Sequence, residues 1–390
     1  MMVRWSRKSI VSTLVGVAFT GMVGACNAAP LVSKIALQSA PAASWAGVAG
    51  GTTGGAKASA EHIYTVTNRS ELLEAIRQSG DAPKIIQIKG VIDLSDGKPF
   101  TSFSDQKSRS QIKLPSNTTV FGVTADAGFI NGSLVIKKVQ NVIVRNIHIE
   151  TPKDVAPHFE KGDGWNAEWD GMNVITSEHV WVDHVTITDG HFTDEMYTEK
   201  DGWRYVQHDG ALDIKRASDY VTVSYSLFDE HDKTMLIGHS DHNGKQDRGK
   251  LRVTLMDNIF KSIVQRTPRV RFGKIHVYNN LFIGDRSEGA SYRYLYSFGL
   301  GKEGSVISEN NLFEIKNLNS PCQVVAVFNK DDSGTLTDHG SVINDKPFDF
   351  KACDKGSDAT WQIPYQYQLK STATLDSLKS QAGSGHLLMN

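Results

Sequence analysis

Three charged residues stand at nearly one offset ahead of a recurring marker. Asp170 lies 14 residues before His184, Asp213 lies 13 before Ser226, and Arg266 lies 14 before Asn280. If the markers are equivalent points on successive turns of a repeat, the two carboxylates and the guanidinium form a column on one surface. Glu168, two residues ahead of Asp170, points the same way on a regular strand. Asp209, four ahead of Asp213, falls in the strand entry and approaches the same point. Carboxylates brought together repel, and a hard cation relieves them. Calcium, which prefers oxygen and tolerates irregular geometry, suits such a set best. On spacing alone, solvated surface acids with incidental agreement in phase are the alternative.

The elements that must position these groups are six β-branched stretches. They are NVIVRNIHI ending near Ile149, HVWVDHVTI near Ile187, YVTVSYSLF near Phe228, RVTLMDNIF near Phe260, IHVYNNLF near Phe282 and VISENNLF near Phe313. Anchored on Asn146, His184, Ser226, Asn258, Asn280 and Asn311, they are separated by 38, 42, 32, 22 and 31 residues. The gap of 22 reads as a bare turn of a parallel β-solenoid, and the longer gaps as the same turn with loops inserted. Polar anchor residues can then hydrogen-bond to their equivalents one strand spacing away, about 4.7 to 4.9 Å. An antiparallel sandwich fits poorly, because its short hairpins do not match such gaps.

The 390 residues, 39% hydrophobic, suffice for one elongated domain, and a formal charge of -1 offers no basic surface for nucleic acid. Residues 1–28 carry Arg4, Arg7 and Lys8 before an apolar run from Ile10 to Ala25, the layout of a secretory signal peptide. Val23-Gly24-Ala25-Cys26 also resembles a lipobox, which would anchor the chain through Cys26. The expected location is therefore extracellular or periplasmic, free or lipid-anchored. Residues 29–59, containing GVAGGTTGGA, read as a loosely packed leader, and residues 60–390 as a single catalytic domain. Asn68 followed by Glu71 resembles a capping box, with Leu72, Leu73 and Ile76 on one side of a helix over Arg69 to Ser79. Such a helix would cover the open end of the first turn. The segment WQIPYQYQL is expected along the outside of the solenoid. Cys322 and Cys353 can pair in an oxidising compartment or stay as two buried thiols.

Several blocks carry a family resemblance in combination and in order. They are WVDH (Trp181 to His184), HDGALDIKRASDYVTVSYSLF (His208 to Phe228), EHDKTMLIGHSD (Glu230 to Asp241) and VQRTPRVRFGKIHVYNN (Val264 to Asn280), the last containing the RxPxxR pattern from Arg266 to Arg271. These blocks resemble the bacterial calcium-dependent pectate lyases of polysaccharide lyase family 1. The resemblance implies an all-β, right-handed parallel β-helix with an N-terminal capping helix and long loop insertions. It also implies Ca2+ held by Asp170, Asp209 and Asp213, Arg266 as the catalytic arginine, and Lys233 and Arg271 as residues that bind substrate carboxylates. Glu168 falls where many members carry an acidic ligand for a further calcium, often Asp, and Asp209 stands where some relatives have Glu.

The implied reaction is β-elimination on polygalacturonate by a secreted monomer. A base takes the C5 proton of a galacturonate, the C4 oxygen leaves, and a 4,5-unsaturated end forms. A guanidinium is normally protonated over the accessible pH range, so Arg266 as base implies an alkaline activity optimum. The other readings are a pectin lyase on methyl-esterified polymer, a β-helical polygalacturonase with paired carboxylates, and a non-catalytic carbohydrate-binding solenoid. His184 reads as a packed anchor, and His231, His239 and His242 as loop residues. Trp165, Trp169, Trp203 and Tyr205 lie in two long insertions, where they either line a sugar groove or pack the loops. No phosphate loop, dinucleotide fingerprint or nucleophile elbow is present.

Overall fold

The computed structural model describes residues 33–328, 332–353 and 357–387. The expected signal segment and Cys26 fall outside the described residues. Each full coil of the chain gives one strand to each of three sheets. One coil runs through Met172–Ile175, Glu178–Asp183 and Thr186–Thr188, and the next through Leu212–Lys215, Asp219–Ser224 and Leu227–Lys233. Stacking these coils in parallel register builds two ten-stranded sheets and one eight-stranded sheet. The result is a right-handed parallel β-helix, and its central core is one continuous cluster of Val, Ile, Leu and Phe.

The repeat seen in the sequence is a corner device. Between the two ten-stranded sheets one residue per coil takes a left-handed backbone: Asn146 (φ 55), His184 (φ 49), Tyr225 (φ 44), Asp257 (φ 57), Asn279 (φ 58) and Asn310 (φ 47). Asn and Asp tolerate this region best, which accounts for much of the enrichment. The following residue turns its side chain into the stack and forms a ladder. Asn258 Nδ2 donates to Asn280 Oδ1 at 3.0 Å, and Asn280 Nδ2 donates to Asn311 Oδ1 at 3.0 Å. Asn258 Oδ1 accepts from Ser226 N at 2.9 Å, and Ser341 Oγ accepts from Asn311 N at 3.1 Å. Just inside, Phe228, Phe260, Phe282 and Phe313 stack with centroids 5.1, 5.0 and 4.4 Å apart.

This geometry corrects the anchor series. Asp183 is level with Ser224 and Thr186 with Leu227, so His184 is level with Tyr225, whose ring it stacks on at 5.1 Å. Asn146 and His184 are corner residues, whereas Ser226, Asn258, Asn280 and Asn311 are ladder residues one position later. Val185 holds the ladder position of its coil and gives its N–H to Ser226 Oγ at 3.2 Å.

The helix Arg69–Ser79 covers the first coil with Leu72 and Ala75 buried, while Leu73 faces outward and Glu71 reaches back to Thr67 N at 2.8 Å. The leader is not loose. Trp45 N and Ala46 N donate to Thr254 Oγ1 and Thr222 Oγ1, each at 2.9 Å, and Thr53 N donates to Asn141 Oδ1 at 2.7 Å. These bonds lay the leader across the outer face of a ten-stranded sheet. The tail lies on the same face, where Tyr365 shares hydrogen bonds with Thr254 Oγ1 (2.7 Å) and His276 Nδ1 (2.9 Å) and meets Trp45 edge-on. The WVDH block lies beneath this covering. Asp183 accepts from Arg145 Nε at 2.8 Å and from Ser224 Oγ at 2.6 Å, and Arg145 reaches the leader carbonyl of Ile35 at 2.6 Å. Cys322 and Cys353 form a disulfide with Cα atoms 5.4 Å apart.

Replacing Asn280 by Ala deletes the middle of the ladder and strands donors of Asn258 inside the core. A loss of about 1 to 3 kcal/mol follows from leaving a buried polar group unpaired. Urea unfolding should show a lower midpoint with an unchanged slope.

Candidate active site

The strands bring the singled-out residues to the edge where one ten-stranded sheet turns into the eight-stranded sheet. Asp170 and Asp209 precede the strands Met172–Ile175 and Leu212–Lys215, Asp213 lies within the second of these, and Lys233 ends Leu227–Lys233. Arg266 directly follows Ile259–Gln265 with φ 65, and Arg271 directly follows Arg269–Val270. A bulky residue in the left-handed region is strained, and the Arg266 carbonyl is held there by Met235 N at 2.8 Å.

Register, rather than distance along the chain, decides what meets. Gly210 is level with Lys233, and Lys233 is level with Gln265. Asp213 is level with Asn173, three residues beyond Asp170. Asp170 and Asp213 therefore do not occupy equal phase, as their offsets from His184 and Ser226 implied. They converge instead across Gly210, whose N–H donates to Asp170 Oδ1 at 2.8 Å. A Cβ added to Gly210 would lie 2.6 Å from Asp170 Oδ1 and 2.7 Å from Asp213 Oδ1, so glycine keeps the space between the carboxylates open.

A residue passed over in the sequence completes this arrangement. Lys215 Nζ sits 2.8 Å from Asp170 Oδ2 and 3.0 Å from Asp213 Oδ2. Burial opposes its charge, but Asp170 and Asp213 hold the ammonium protonated well above the usual lysine range. Its signal was the i, i+2 spacing from Asp213, which puts both side chains on one strand face. Lys233 Nζ lies 3.5 Å from Asp209 Oδ1 and also contacts Asn166 Oδ1 in the first insertion.

Asp209 carries the consequence of crowding. Burial and the nearby Asp170 carboxylate push it up to about 7, against an ordinary 3.8. Asp213 is raised for the same two reasons. Behind them, His231 is fully buried on a strand rather than in a loop. Its Nδ1 meets Asp189 Oδ1 at 2.5 Å and its Nε2 meets the Asp209 carbonyl at 3.0 Å. Burial works against its charge, yet Asp189 outweighs burial and lifts it to about 9. Glu168 is exposed in the segment leading to Asp170, and its N–H is tied to Asp154 Oδ2 at 2.9 Å.

The donor set fits a hard cation in kind and in charge. Its donors are carboxylate oxygens, an ammonium already sits between two of them, and the mutual repulsion of the acids is only partly relieved at Asp209 by Lys233. Among the described residues no three acidic, His or Cys side chains are gathered into a finished metal cluster. As they stand, Lys215 and Lys233 are the cations that hold the acids.

The arginines divide into two kinds. Arg271 pairs with Asp241 and donates to the Gly238 carbonyl at 3.0 Å. Arg266 has no carboxylate within ion-pair distance among the described residues, and its buried Nε has no partner. The loop aromatics chiefly pack one another. Trp165 contacts Tyr205 and Phe159 at 5.3 and 5.5 Å, Trp203 contacts Phe159 at 6.1 Å, and Trp169 stacks on Phe103 at 5.0 Å.

Comparison with known proteins decides what this edge belongs to. The family described as Pectate lyase matches residues 8–387. The chain belongs to the pectate lyase family. It is 54% identical to pectate lyase A of Dickeya chrysanthemi, over 98% of this chain and 97% of that protein. It is 34% identical to a pectate lyase of Bacillus subtilis (strain 168), over 88% of this chain and 92% of that protein. Among solved structures, a pectate lyase bound to hexasaccharide superposes with a TM-score of 0.84 at 32% identity, covering 91% of this chain and all of that one. As a pectate lyase the chain is a carbon–oxygen lyase acting on polysaccharide, on a right-handed parallel β-helix.

The raised Asp209 gives a pH dependence. Its folded form holds a proton more tightly than the unfolded form, so it lowers stability as pH rises from about 4 through about 7. In chelator, Asp209→Asn should be more stable than wild type at pH 8, with the gap closing towards pH 4. Urea midpoints across that range test this, and a constant gap would reject the assignment.

Proposed function

We propose that this pectate lyase cleaves polygalacturonate by calcium-assisted β-elimination, with Arg266 as the base. The observation that carries the reading is the Arg266 guanidinium, which has no carboxylate partner among the described residues, lies on a strained turn, and stands one coil from Lys233 and two from Asp209 and Asp213. A guanidine that lacks a carboxylate partner is the one most easily met by an incoming proton and an anionic substrate.

In this mechanism Lys233 and Arg271 bind uronate carboxylates and fix the reacting sugar against the sheet edge. Arg271 exchanges part of its contact with Asp241 for the substrate. Asp170, Asp209 and Asp213 are the residues that would hold calcium, with Glu168 available from the exposed side for a further ion. When bound, calcium neutralises the substrate carboxylate next to C5 and so makes the C5 proton more acidic. Arg266 takes that proton. The C5–H electron pair becomes the C4–C5 double bond, the C4–O bond breaks, and the glycosidic oxygen departs with its half of the chain and is protonated by water. Because Arg266 must be neutral to accept the proton, activity rises towards alkaline pH. We further propose that the chain acts as a monomer, secreted or anchored through Cys26.

Ultraviolet absorbance of the unsaturated product, followed on polygalacturonate with calcium and with chelator, tests the reading. Wild type should form product only with calcium, and Arg266→Ala should lose activity by about 10²- to 10⁴-fold while keeping its fold. Absence of product from folded wild type at every calcium level would refute the reaction.

A further inference from the structure

A second arginine shares the unpartnered Nε of Arg266. Among the described residues, three arginines have a buried Nε with no partner: Arg69, Arg266 and Arg269. Arg69 is neutralised by Asp96 at 3.2 Å, whereas among the described residues neither Arg266 nor Arg269 has a carboxylate within ion-pair distance. Burial and the neighbouring Arg271 cation hold Arg269 down at about 10. The closest acid that it senses, Asp241, is engaged by Arg271. An uncompensated buried cation is costly, and proteins seldom keep one without a use for it.

The surroundings of Arg269 are built to hold its side chain in one pose. Val270 is fully buried, so Arg269 and Arg271 on either side of it face outward from the eight-stranded sheet. On the next coil Arg269 is level with Gly299, and a Cβ there would come within 3.0 Å of Arg269 Cγ and of Tyr296 Cε2. The missing side chain lets the arginine lie across that coil. Its guanidinium rests 3.9 Å from the centroid of Phe328, and Phe328 meets Tyr296 edge-on at 5.7 Å. Tyr296 in turn donates to Gln265 Oε1 at 3.0 Å and touches the side chain of Arg266. Stacking fixes one plane of the guanidinium and leaves its N–H edge for an in-plane acceptor such as a carboxylate.

We propose that Arg269 is a specificity-determining residue that binds the carboxylate of a galacturonate unit adjoining the one addressed by Arg266, on the Gly299 side of the sheet. This rests on the polygalacturonate reading above. The chain of contacts from Phe328 through Tyr296 to Arg266 couples placement of that unit to placement of the base.

The test compares wild type with Arg269→Gln and Arg269→Lys in initial-rate kinetics on polygalacturonate and on pectins of rising methyl esterification. It adds calorimetric binding of an oligogalacturonate to Arg266→Ala and to the Arg266→Ala, Arg269→Gln pair, which needs no turnover. Arg269→Gln should raise KM and weaken binding by about tenfold, as expected for one charge-assisted contact, with kcat reduced less than about twofold. Arg269→Lys should recover part of the loss. The gap from wild type should narrow as esterification removes substrate charge, a trend that a merely structural role would not produce. Unchanged KM and unchanged binding in a variant whose wild type is active would overturn the subsite and leave the lyase reading intact. A fall in kcat at constant KM and affinity would also overturn it, placing Arg269 with the reacting unit. If wild type makes no unsaturated product but binds oligogalacturonate more tightly than the Gln variant does, the lyase reading fails and the subsite stands. Should Arg269→Gln not fold, the Lys variant carries the same comparison across esterification, and a constant gap there rejects the proposal.

Discussion

Parallel in-register stacking is the constraint on which everything else in this chain depends. Each strand finds its hydrogen-bond partners only on the coils before and after it, at a spacing of about 4.8 Å. Whatever side chain occupies a given level is therefore held against its equivalent on the next coil. Inside, this forces like on like, giving the Phe stack and a ladder in which each amide satisfies the next. Outside, the same rule sets charge against charge. Carboxylates that would separate in a flexible loop are fixed close together at Asp170, Asp209 and Asp213, and their repulsion is partly absorbed by Lys215, on the strand of Asp213, and by Lys233 on the same coil's last strand.

The rigid frame also explains how irregular pieces are tolerated at the site. Insertions leave the solenoid between coils and return without altering the register, as the hairpin His158–Glu160 with Gly164–Asn166 shows. They carry groups such as Asn166 to Lys233 from above. From behind, His231, itself held by Asp189, grips the Asp209 carbonyl, so the backbone of that acid is held even though its carboxylate is crowded. The leader and tail occupy a different face, where Trp45, Trp361 and Tyr365 meet over the strands. Closure of the fold and exposure of the chemistry are in this way assigned to separate sides.

How far the sequence discloses this follows from the same rule. The solenoid was legible because its corner repeats one backbone conformation and one polar position, and Asn is favoured in both. The register from His184 to Ser226 was misread by one because Val185 breaks the polar pattern at the ladder, so the nearest polar residue, His184, was matched instead. Motif singled out Arg266 and the acids, which the structure brings to one edge, but the offsets put Asp170 and Asp213 at equal phase, whereas Asp213 is level with Asn173. Lys215 was hidden because a lysine two residues from an aspartate is common on any exposed strand, and only the convergence at Gly210 shows what lies between. The leader looked loose from its Gly, Ala and Ser content, yet small residues are what lets its backbone lie close enough to reach Thr222 and Thr254. Leu73 was placed inward by helical periodicity, although the coil end takes Leu72, Ala75 and part of Ile76 and leaves Leu73 outside.

The distribution of satisfied and unsatisfied charge separates the framework from the working surface. Arg145, Arg252 and Arg109 have their carboxylates at Asp183, Asp219 and Asp105, and these pairs tie coils or turns together. At the site edge the acids are in excess beside Lys215, while two coils beyond Asp209 and Asp213 the cations Arg266 and Arg269 have no carboxylate partner among the described residues. Such a gradient, from crowded anions to bare cations across three coils, is unfavourable in the empty protein and is relieved only from outside. On the proposed function, a chain bearing one carboxylate per sugar would supply anions to the arginines, and a divalent ion held by the acids would supply the missing positive charge. Each ligand would then remove a repulsion that opposes the other, so the affinities of this edge for polyanion and for cation would be set jointly by the charges that the coils leave unpaired.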